Sequence, residues 1–453
     1  MRVRINPHRF SGEVKIPASK SHTIRQLLIA SLADGVSEIF YPLDSLDARS
    51  CVSVCKAFGA EITEYRAADS DNPNPPDEKG EKLTGWKIIG NANFRKPPLP
   101  ALRSPLNVGN SGTTLYLALA VAGLQAEAVE FTGDEQIQKR SAAPLLEALA
   151  GLGVQSQSNN GCAPITIKGP WKGGKVNLPC PTSQYLSALL IASPLAPAAV
   201  VTEIEVPLLN EKPYIEMTLS YLTANGIPFE AAPDFSRFVI PGGSSWKAFS
   251  RSVPGDFSSA AFPAAAAAIS GGNVTLLGLE PEDTQGDKFI FEILASMGCE
   301  VQWRDNGKNG RSLTVSRNGA LRGGTFDLNA TPDLLPAAAV VAAYAEGDTA
   351  LVNVAHARIK ETDRIAVMAE ELAKLGVSCT ERPDGIVIHG KGGLSLSEKN
   401  LVIDGRGDHR IVMAFAAAAL GSQCPIEITS AESAAVTYPG FLELLNAERV
   451  IDT

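Results

Sequence analysis

Six short polar clusters in the sequence carry side chains that can bind anions or transfer protons. They are Lys20-Ser21 with Arg25, Asn110 to Thr113, Thr182 to Gln184, Asp256 to Ser259, Asp333, and Asp408 to Arg410. Lys and Arg bind carboxylates and phosphates, and hydroxyl and backbone N–H groups add donors. The clusters therefore indicate a site that holds a small anionic molecule.

A run of small apolar residues accompanies each cluster, and we interpret each run as a buried helix. The runs recur about every 75 residues, which indicates an internal repeat. A helix start presents free N–H groups and the positive end of the helix dipole, so it favours anions. The alternative for any single cluster is an ordinary helix N-cap. The runs begin near Arg25, Thr114, Gln184, Ser258, Leu335 and Arg410.

A second, amphipathic helix in each repeat is predicted to end at a glycine. In MAEELAKLGVSC (368–379), the apolar residues fall on one helix face and Gly376 follows them. Strands rich in Val, Ile and Thr complete each unit. We therefore expect an α/β protein made of two bodies with three units each. The glycines of this series are Gly59, Gly153, Gly226, Gly298 and Gly376.

Composition narrows the class of protein. With 453 residues, 45% hydrophobic and 20% charged, the chain has the balance of a soluble globular protein, with either two domains or one large repeat-built body. A net charge of −9 argues against a nucleic-acid partner. We expect no membrane span and no secretory signal, hence a cytoplasmic protein. The seven scattered cysteines favour buried thiols over disulfides or zinc, and the Pro-rich stretch at 67–84 favours an exposed loop.

Nine motifs, in this order along the whole chain, resemble those of the EPSP synthase family of enolpyruvyl transferases. The resemblance implies a two-domain inside-out α/β barrel built from six βαβαββ repeats. It further implies one domain from residues 1–19 plus 251–453 and a second from 20–250. Separately, we expect a monomer. The motifs are PASKSHTIR (17–25), GNSGTT (109–114), GDEQIQKR (133–140), TSQYLSALL (182–190), KPYIEMTL (212–219), GDFSSAAF (255–262), PDLLPAAA (332–339), RIKETDRI (358–365) and GDHRIVMAF (407–415).

The family transfers the enolpyruvyl group of phosphoenolpyruvate to the 5-hydroxyl of shikimate-3-phosphate, without metal or organic cofactor. The resemblance assigns the base to Asp333 and proton transfer at the methylene carbon to Glu361 with Lys20. Which of the last two groups delivers the proton is open at this point. The residues matched to shikimate-3-phosphate are Lys20, Ser21, Arg25, Thr182, Ser183, Gln184, Tyr214, Asp333, His356 and Lys360.

The resemblance also assigns a phosphoenolpyruvate site. Arginine suits this ligand because its planar fork binds carboxylate and phosphate in two places at once. In this family the herbicide glyphosate competes for the same site, and its fit depends on the missing side chain at the glycine matched by Gly112. The residues matched to phosphoenolpyruvate are Lys20, Gly112, Arg140, Gln184, Arg364 and Arg410.

Five positions depart from the family pattern. Val436 replaces a common Lys that contacts phosphoenolpyruvate, Tyr116-Leu117 replace an Arg-Pro pair, and His356 stands where an Asn often contacts shikimate. Glu211 stands where a Ser often contacts the phosphate of the acceptor. Because a carboxylate repels a phosphate, either Glu211 points away or Asn210 takes the place after a local shift.

Three other functions are compatible with parts of the pattern. UDP-N-acetylglucosamine enolpyruvyl transferase shares fold and donor, but its first motif has Lys-Asn where this chain has Lys20-Ser21. A related enolpyruvyl transferase acting on another phosphorylated acceptor would explain the departures at ligand contacts. A binding protein without activity is disfavoured because Lys20, Asp333 and Glu361 are all present.

Overall fold

The computed structural model describes residues 1–69, 71–91, 105–307, 310–394, 396 and 401–450. Within these ranges the strands are β1 (Val3–Ile5), β2 (Ser11–Lys15), β3 (Val36–Phe40), β4 (Glu61–Ala67), β5 (Lys82–Ile89), β6 (Leu106–Asn107), β7 (Val129–Thr132), β8 (Gln155–Asn159), β9 (Cys162–Lys168), β10 (Gly174–Asn177), β11 (Val201–Glu205), β12 (Glu230–Ala231), β13 (Arg237–Pro241), β14 (Ser250–Ser252), β15 (Asn273–Leu277), β16 (Cys299–Asp305), β17 (Arg311–Arg317), β18 (Thr325–Asp327), β19 (Glu346–Val352), β20 (Ser378–Arg382), β21 (Gly385–Lys391), β22 (Leu401–Ile403), β23 (Ile426–Ile428) and β24 (Glu448–Arg449).

The α-helices are α1 (Lys20–Leu32), α2 (Leu46–Ala57), α3 (Gly112–Ala122), α4 (Ala143–Gly151), α5 (Ser183–Ala192), α6 (Lys212–Asn225), α7 (Phe257–Ser270), α8 (Phe289–Ser296), α9 (Leu335–Ala343), α10 (Arg364–Lys374), α11 (His409–Leu420) and α12 (Phe441–Leu444). Short 3₁₀ helices cover Ile137–Lys139, Ser193–Leu195, Gly286–Lys288, Pro332–Leu334, Ala355–Ile359 and Ala431–Val436.

The predicted buried helices are α1, α3, α5, α7, α9 and α11. Every residue of α3 and α9 is buried, and so is every residue of α7 before Ser270. Ala has the highest helix propensity, and its small side chain lets helices approach closely. The three helices α7, α9 and α11 pack on one another, and so do α3 and α5. The predictions of helices enclosed on all sides are confirmed.

The second helix of five repeat units ends as the glycine pattern predicted, and α12 is the exception. α2, α4, α6, α8 and α10 are all followed within two residues by a glycine with φ between +67° and +107°. This left-handed conformation suits glycine because no Cβ obstructs it. The glycines are those at 59, 153, 226, 298 and 376.

In the described part of the chain, six four-stranded sheets share one pairing pattern. In the order of strands across each sheet, the first and second strands are parallel to each other. The second and third strands, and the third and fourth, are antiparallel. The common pattern is the structural form of the sequence repeat. The strand orders are β14-β3-β5-β4, β6-β7-β9-β8, β10-β11-β13-β12, β2-β15-β17-β16, β18-β19-β21-β20 and β22-β23-β1-β24.

Two sheets exchange their first strands. β2 precedes α1 in the chain, yet it pairs with β15, while β14 precedes α7 and pairs with β3. The sheet that contains β22 is completed by β1 from the start of the chain. Residues from the beginning of the chain, such as Val3 and Phe10, consequently share a hydrophobic core with α7, α9 and α11.

The chain forms two compact units. Unit 1 contains residues 1–19, 70–75 and 254–453, and unit 2 contains residues 20–69 and 76–253. The stretch at 67–84 connects β4 to β5, and it is not uniformly exposed, because Asn72 and Asn74 are buried. That part of the loop prediction was wrong, since polar side chains in a loop can be buried when they form hydrogen bonds, as Asn72 does with the Asn74 N–H.

Among the described residues, no helix combines the length and the apolar character that crossing a membrane requires. All seven cysteines are free thiols. Four of them are buried, at 51, 55, 180 and 299, while the other three are partly exposed. The expectation of thiols is confirmed, and the expectation that they are buried holds for those four.

Candidate active site

Apart from His356, the predicted site residues gather in one cluster in each unit, together with two residues that were not predicted as ligands, Glu211 and Asp408. The helix-start cluster of unit 2 gathers around the first turns of α1, α3, α5 and α6, and consists of Lys20, Ser21, Arg25, Gly112, Arg140, Thr182, Ser183, Gln184, Glu211 and Tyr214. The ion-pair cluster of unit 1 gathers around the first turns of α9, α10 and α11, and consists of Asp333, Lys360, Glu361, Arg364, Asp408 and Arg410.

Gly112 begins α3 beside two predicted ligand residues. Ser111 is the N-cap, and its hydroxyl accepts a hydrogen bond from the Thr114 N–H. A Cβ added at Gly112 would lie 3.0 Å from Arg140 Nη1 and 3.8 Å from Gln184 Oε1. Gln184 Nε2 in turn donates to Thr113 Oγ1 at 3.1 Å. The structure thus brings Gly112, Arg140 and Gln184 together, as a site for a compact anion requires.

Arg25 is buried, and its guanidinium joins three helices. Nε donates to Thr218 Oγ1 at 2.9 Å, and Nη2 donates to Ser187 Oγ at 3.1 Å and to the Tyr214 carbonyl. Nη1 donates to the Ser21 carbonyl. Burial lowers the pKa of Arg25 to about 10, against the opposite influence of Tyr221, Tyr214 and Glu211. Arg25 remains charged at neutral pH, but four of its N–H donors are already engaged.

Lys20, the first residue of α1, pairs with a carboxylate that the sequence did not single out. Its Nζ lies 3.3 Å from Asp47 Oδ2, and both side chains are largely buried. Asp47 stands in the first turn of α2, where the helix dipole favours a negative charge. The position of Asp47 after the N-cap Ser45 was its only sequence signal. A buried lysine held by a carboxylate has a defined orientation, which a proton-transfer group needs.

Glu211 lies against the start of α5. Its Oε2 accepts hydrogen bonds from Ser183 Oγ at 2.7 Å, from the Ser183 N–H at 3.0 Å and from Thr182 Oγ1 at 3.3 Å. The side chain is buried, and the backbone is left-handed with φ of 59°. The interpretation that Glu211 points away was therefore wrong. Asn210 lies at the same turn, where its amide donates to the Pro181 carbonyl.

Arg364 is the centre of the ion-pair cluster. This fully buried guanidinium contacts three carboxylates: Nη1 reaches Asp333 Oδ1 at 2.8 Å, Nη2 reaches Glu361 Oε2 at 2.5 Å, and Nε reaches Asp408 Oδ2 at 2.9 Å. Burial lowers the pKa of Arg364, but the charges of Asp408, Glu361 and Asp333 outweigh this effect and raise it. Asp408 also caps α11, because its side chain accepts from the Arg410 N–H.

Asp333 is held between two arginines. Its Oδ2 lies 2.9 Å from Arg410 Nη2, opposite the contact with Arg364. Burial raises the pKa of Asp333, but the positive charges of Arg410, Lys360 and Arg364 prevail and hold it well below the usual range. Asp333 belongs to the 3₁₀ turn Pro332–Leu334 that leads into α9. The carboxylate is thus ionised at every physiological pH.

Arg410 connects Asp333 to α7. Its Nη2 donates to Ser258 Oγ at 2.7 Å, and its Nη1 lies 2.6 Å from His409 Nε2. Within the described part of the chain, Nε of this buried arginine makes no hydrogen bond. The cluster contains three cations and three carboxylates, so it is balanced in charge. An anionic ligand would have to compete with Asp333, Glu361 or Asp408 for the arginines.

His356 lies near this cluster in a short 3₁₀ helix. Its ring is buried, and Nε2 is 3.1 Å from the Asn329 carbonyl oxygen. The turns Ala355–Ile359 and Pro332–Leu334, which contain His356 and Asp333, pack on each other. Asp408 received no role from the sequence, although it stands in one of the polar clusters. Among the described residues, no group of three or more His, Cys, Asp or Glu could hold a metal ion.

The other departures from the family pattern are accommodated by packing. Tyr116 is buried against Tyr185, with ring centroids 5.0 Å apart and the rings nearly perpendicular. Leu117 is fully buried within an uninterrupted α3. Val436 ends the 3₁₀ helix Ala431–Val436 and is partly exposed. Neither Tyr116 nor Leu117 disturbs the first turn of α3, where Gly112 lies.

Comparisons with known proteins agree with this architecture. A family model described as EPSP synthase (3-phosphoshikimate 1-carboxyvinyltransferase) matches residues 5–445. A protein of Acetivibrio thermocellus named 3-phosphoshikimate 1-carboxyvinyltransferase is 43% identical over 448 residues, which cover 98% of each chain. One of the same name from Methanocella arvoryzae is 39% identical over 97% of each chain.

A solved structure shows the same fold. The EPSP synthase from Acinetobacter baumannii superimposes with a TM-score of 0.76 at 28% identity, over 98% of this chain and 97% of that one. The expected two-domain enolpyruvyl transferase fold is confirmed by this likeness and by the six matching sheets. From its sequence, its sheets and its relatives, the chain belongs to the EPSP synthase family.

Proposed function

We propose that this protein transfers the enolpyruvyl group of phosphoenolpyruvate to the 5-hydroxyl of shikimate-3-phosphate and releases phosphate, as a 3-phosphoshikimate 1-carboxyvinyltransferase. The observation that carries the proposal is the ion-pair cluster, in which an ionised Asp333 lies between Arg364 and Arg410 with Glu361 beside them. Such a cluster offers a proton acceptor, a second carboxylate and two cations for an anionic substrate.

The first step requires removal of a proton and delivery of another. Asp333 accepts the proton of the acceptor hydroxyl, whose oxygen forms a bond to C2 of phosphoenolpyruvate. The methylene carbon C3 receives a proton from Glu361 or Lys20 and becomes a methyl group. The resulting tetrahedral intermediate then loses one methyl proton while the bond from C2 to the phosphate oxygen breaks. No oxidant and no cofactor enters this sequence.

The low pKa of Asp333 supports a role for the substrate itself in activating the base. Arg410 and Arg364 hold that pKa down, and a base with so low a pKa is weak. The carboxylate and phosphate of phosphoenolpyruvate compete for the same guanidinium groups. When phosphoenolpyruvate binds these guanidinium groups, it neutralises part of the positive charge that acts on Asp333. The pKa of Asp333 then rises. The base is then strongest when the donor substrate is bound.

The helix-start cluster supplies the remaining contacts of the proposal. Gly112, Arg140 and Gln184 suit phosphoenolpyruvate, because the guanidinium of Arg140 borders a residue without a side chain. Lys20, Ser21, Thr182 and Ser183 suit an acceptor with hydroxyl and phosphate groups. Tyr214, His356, Lys360 and Arg25 complete the proposed acceptor contacts. We further propose that the protein acts as a cytoplasmic monomer.

Product analysis tests this proposal. Purified protein is mixed with phosphoenolpyruvate and shikimate-3-phosphate, and ³¹P NMR follows the donor, free phosphate and the acceptor phosphate in one sample. We expect free phosphate and an enolpyruvyl ether in equal amounts, and neither product when one substrate is omitted. Parallel samples contain unphosphorylated shikimate or UDP-N-acetylglucosamine. Faster turnover of either of these would replace the proposed acceptor.

A further inference from the structure

Glu211 occupies the donors at which the acceptor's phosphate is expected. Its Oε2 takes hydrogen bonds from both hydroxyl groups and from the first free N–H of the α5 start. These are the groups that a phosphate would use at a helix N-terminus. Two anions cannot share three donors without strong repulsion. A phosphate can therefore bind there only after the carboxylate leaves.

The position of Glu211 in the fold keeps its carboxylate at this place. Glu211 precedes α6, and its left-handed backbone directs the side chain to Thr182 and Ser183 instead of along its own helix. The side chain is 2% exposed, so it cannot reach water without a rearrangement. Its charge also acts on the buried Arg25, where it partly opposes the lowering of the pKa by burial. The Glu211 carboxylate is thus a buried part of the helix-start cluster.

We propose that Glu211 is an internal competitor of the acceptor's phosphate, and that it determines how strongly an anion must bind in order to enter this subsite. The proposal rests on the proposed function, which places Thr182 and Ser183 among the acceptor contacts. Only a fraction of the molecules has these donors available, and the apparent affinity falls by that fraction. A dianionic phosphate anchored by the rest of the acceptor displaces Glu211, whereas a free inorganic anion does so poorly.

The test compares the wild type with Glu211→Gln and Glu211→Ser. Glutamine keeps the shape and an acceptor oxygen for Ser183 but removes the charge, so this variant should fold. Serine leaves the donors fully open. Glu216→Gln is the matched control, because Glu216 lies exposed on the same helix and its replacement removes the same charge. Thermal unfolding of all four proteins verifies that each is folded.

Two measurements on these proteins decide the question. We expect Glu211→Gln to lower the KM for shikimate-3-phosphate about tenfold or more, with kcat and the KM for phosphoenolpyruvate little changed. Inorganic phosphate, tested as a competitor of shikimate-3-phosphate, should inhibit Glu211→Gln and Glu211→Ser more strongly than the wild type by a similar factor. Glu216→Gln should match the wild type in both measurements.

Several results would overturn the proposal. A raised KM for shikimate-3-phosphate in Glu211→Gln would mean that the carboxylate assists binding of the acceptor. An unchanged KM and unchanged phosphate inhibition in both Glu211 variants would mean that the phosphate binds elsewhere. If Glu211→Gln does not fold, the KM and the phosphate inhibition of Glu211→Ser test the proposal instead. Absence of turnover in the wild type itself would instead refute the proposed function, so the two failures are distinguishable.

Discussion

The two clusters lie at equivalent helix starts, but their buried arginines have different kinds of partner. In unit 2, Arg25 donates to hydroxyl and carbonyl groups, and its pKa is lowered by burial. In unit 1, Arg364 is surrounded by three carboxylates, and its pKa is raised. Hydroxyl groups and backbone N–H groups suit recognition of a ligand, whereas ionised pairs suit proton transfer. Under the proposed function, unit 1 therefore carries a reactive cluster with the base Asp333, and unit 2 carries a binding cluster to which Lys20 adds a candidate proton donor.

The largest effect is expected for the reactive cluster. Asp333→Asn keeps shape and hydrogen bonding but removes the proton acceptor, so kcat should fall by about a hundredfold or more. The KM for each substrate should change much less. Steady-state phosphate release measures both parameters. Asp384→Asn, at an exposed turn of the same unit, is the control and should match the wild type. Turnover of Asp333→Asn near the wild-type rate would remove Asp333 from the mechanism.

Stability should distinguish the two buried arginines. Arg364→Met removes the cation that three carboxylates share, and we expect the free energy of unfolding to fall by about 3–5 kcal/mol. Arg25→Met leaves hydroxyl and carbonyl groups unsatisfied, which costs about 1–3 kcal/mol. Urea unfolding at neutral pH measures both variants. Equal losses would contradict the contrast between ion pairing in unit 1 and neutral hydrogen bonding in unit 2.

Inhibition by glyphosate tests the helix-start cluster. An added methyl group at Gly112 would crowd Arg140, whose Nη1 lies 3.0 Å away. We expect Gly112→Ala to weaken inhibition about tenfold, while the KM for phosphoenolpyruvate changes less. Gly319→Ala is the matched control, since its methyl group would meet no atom within 4 Å. Inhibition curves are compared at equal phosphoenolpyruvate saturation. Superimposable curves for Gly112→Ala and wild type would show that Gly112 does not border the inhibitor.

The smallest effect concerns stability in acid. The pKa of Asp333 is lower in the folded state than in the unfolded state, so unfolding takes up protons at low pH. The contribution of Asp333 is therefore complete near neutral pH and declines as pH falls below about 5, toward the ordinary aspartate range. The difference in unfolding free energy between wild type and Asp333→Asn should be constant from pH 7 to about 5 and shrink below it. A decline that begins above pH 6 would contradict the low pKa.

Local patterns predicted the elements well. The Ala-rich runs and the glycines at helix ends predicted α7, α9 and α10. Helix burial and the left-handed residue that ends a helix both depend on residues that are adjacent in the sequence. The exchange of β2 and β14 between sheets was not predictable in this way, since periodicity does not identify the partner of a strand. The family resemblance, and not the pattern, indicated that both chain ends share a domain.

The sequence predicted which residues belong to the site but not which of them contact one another. The motifs placed Asp333 and Arg364 among the functional residues, and the structure brings them together. They could not reveal that Asp47 holds Lys20, or that Glu211 faces Ser183. Such contacts depend on side-chain directions across different helices. For Glu211 they also depend on a left-handed backbone that glutamate seldom adopts.

Rapid-quench measurement of a single turnover tests most directly the claim that one cluster reacts and the other binds. It is applied to wild type, Asp333→Asn and Ser21→Ala over a range of shikimate-3-phosphate concentrations. We predict that Asp333→Asn loses the rate at saturation while the half-saturating concentration stays similar. Ser21→Ala should keep that rate and require about tenfold more acceptor. A lost rate in Ser21→Ala together with an unchanged rate in Asp333→Asn would contradict the account.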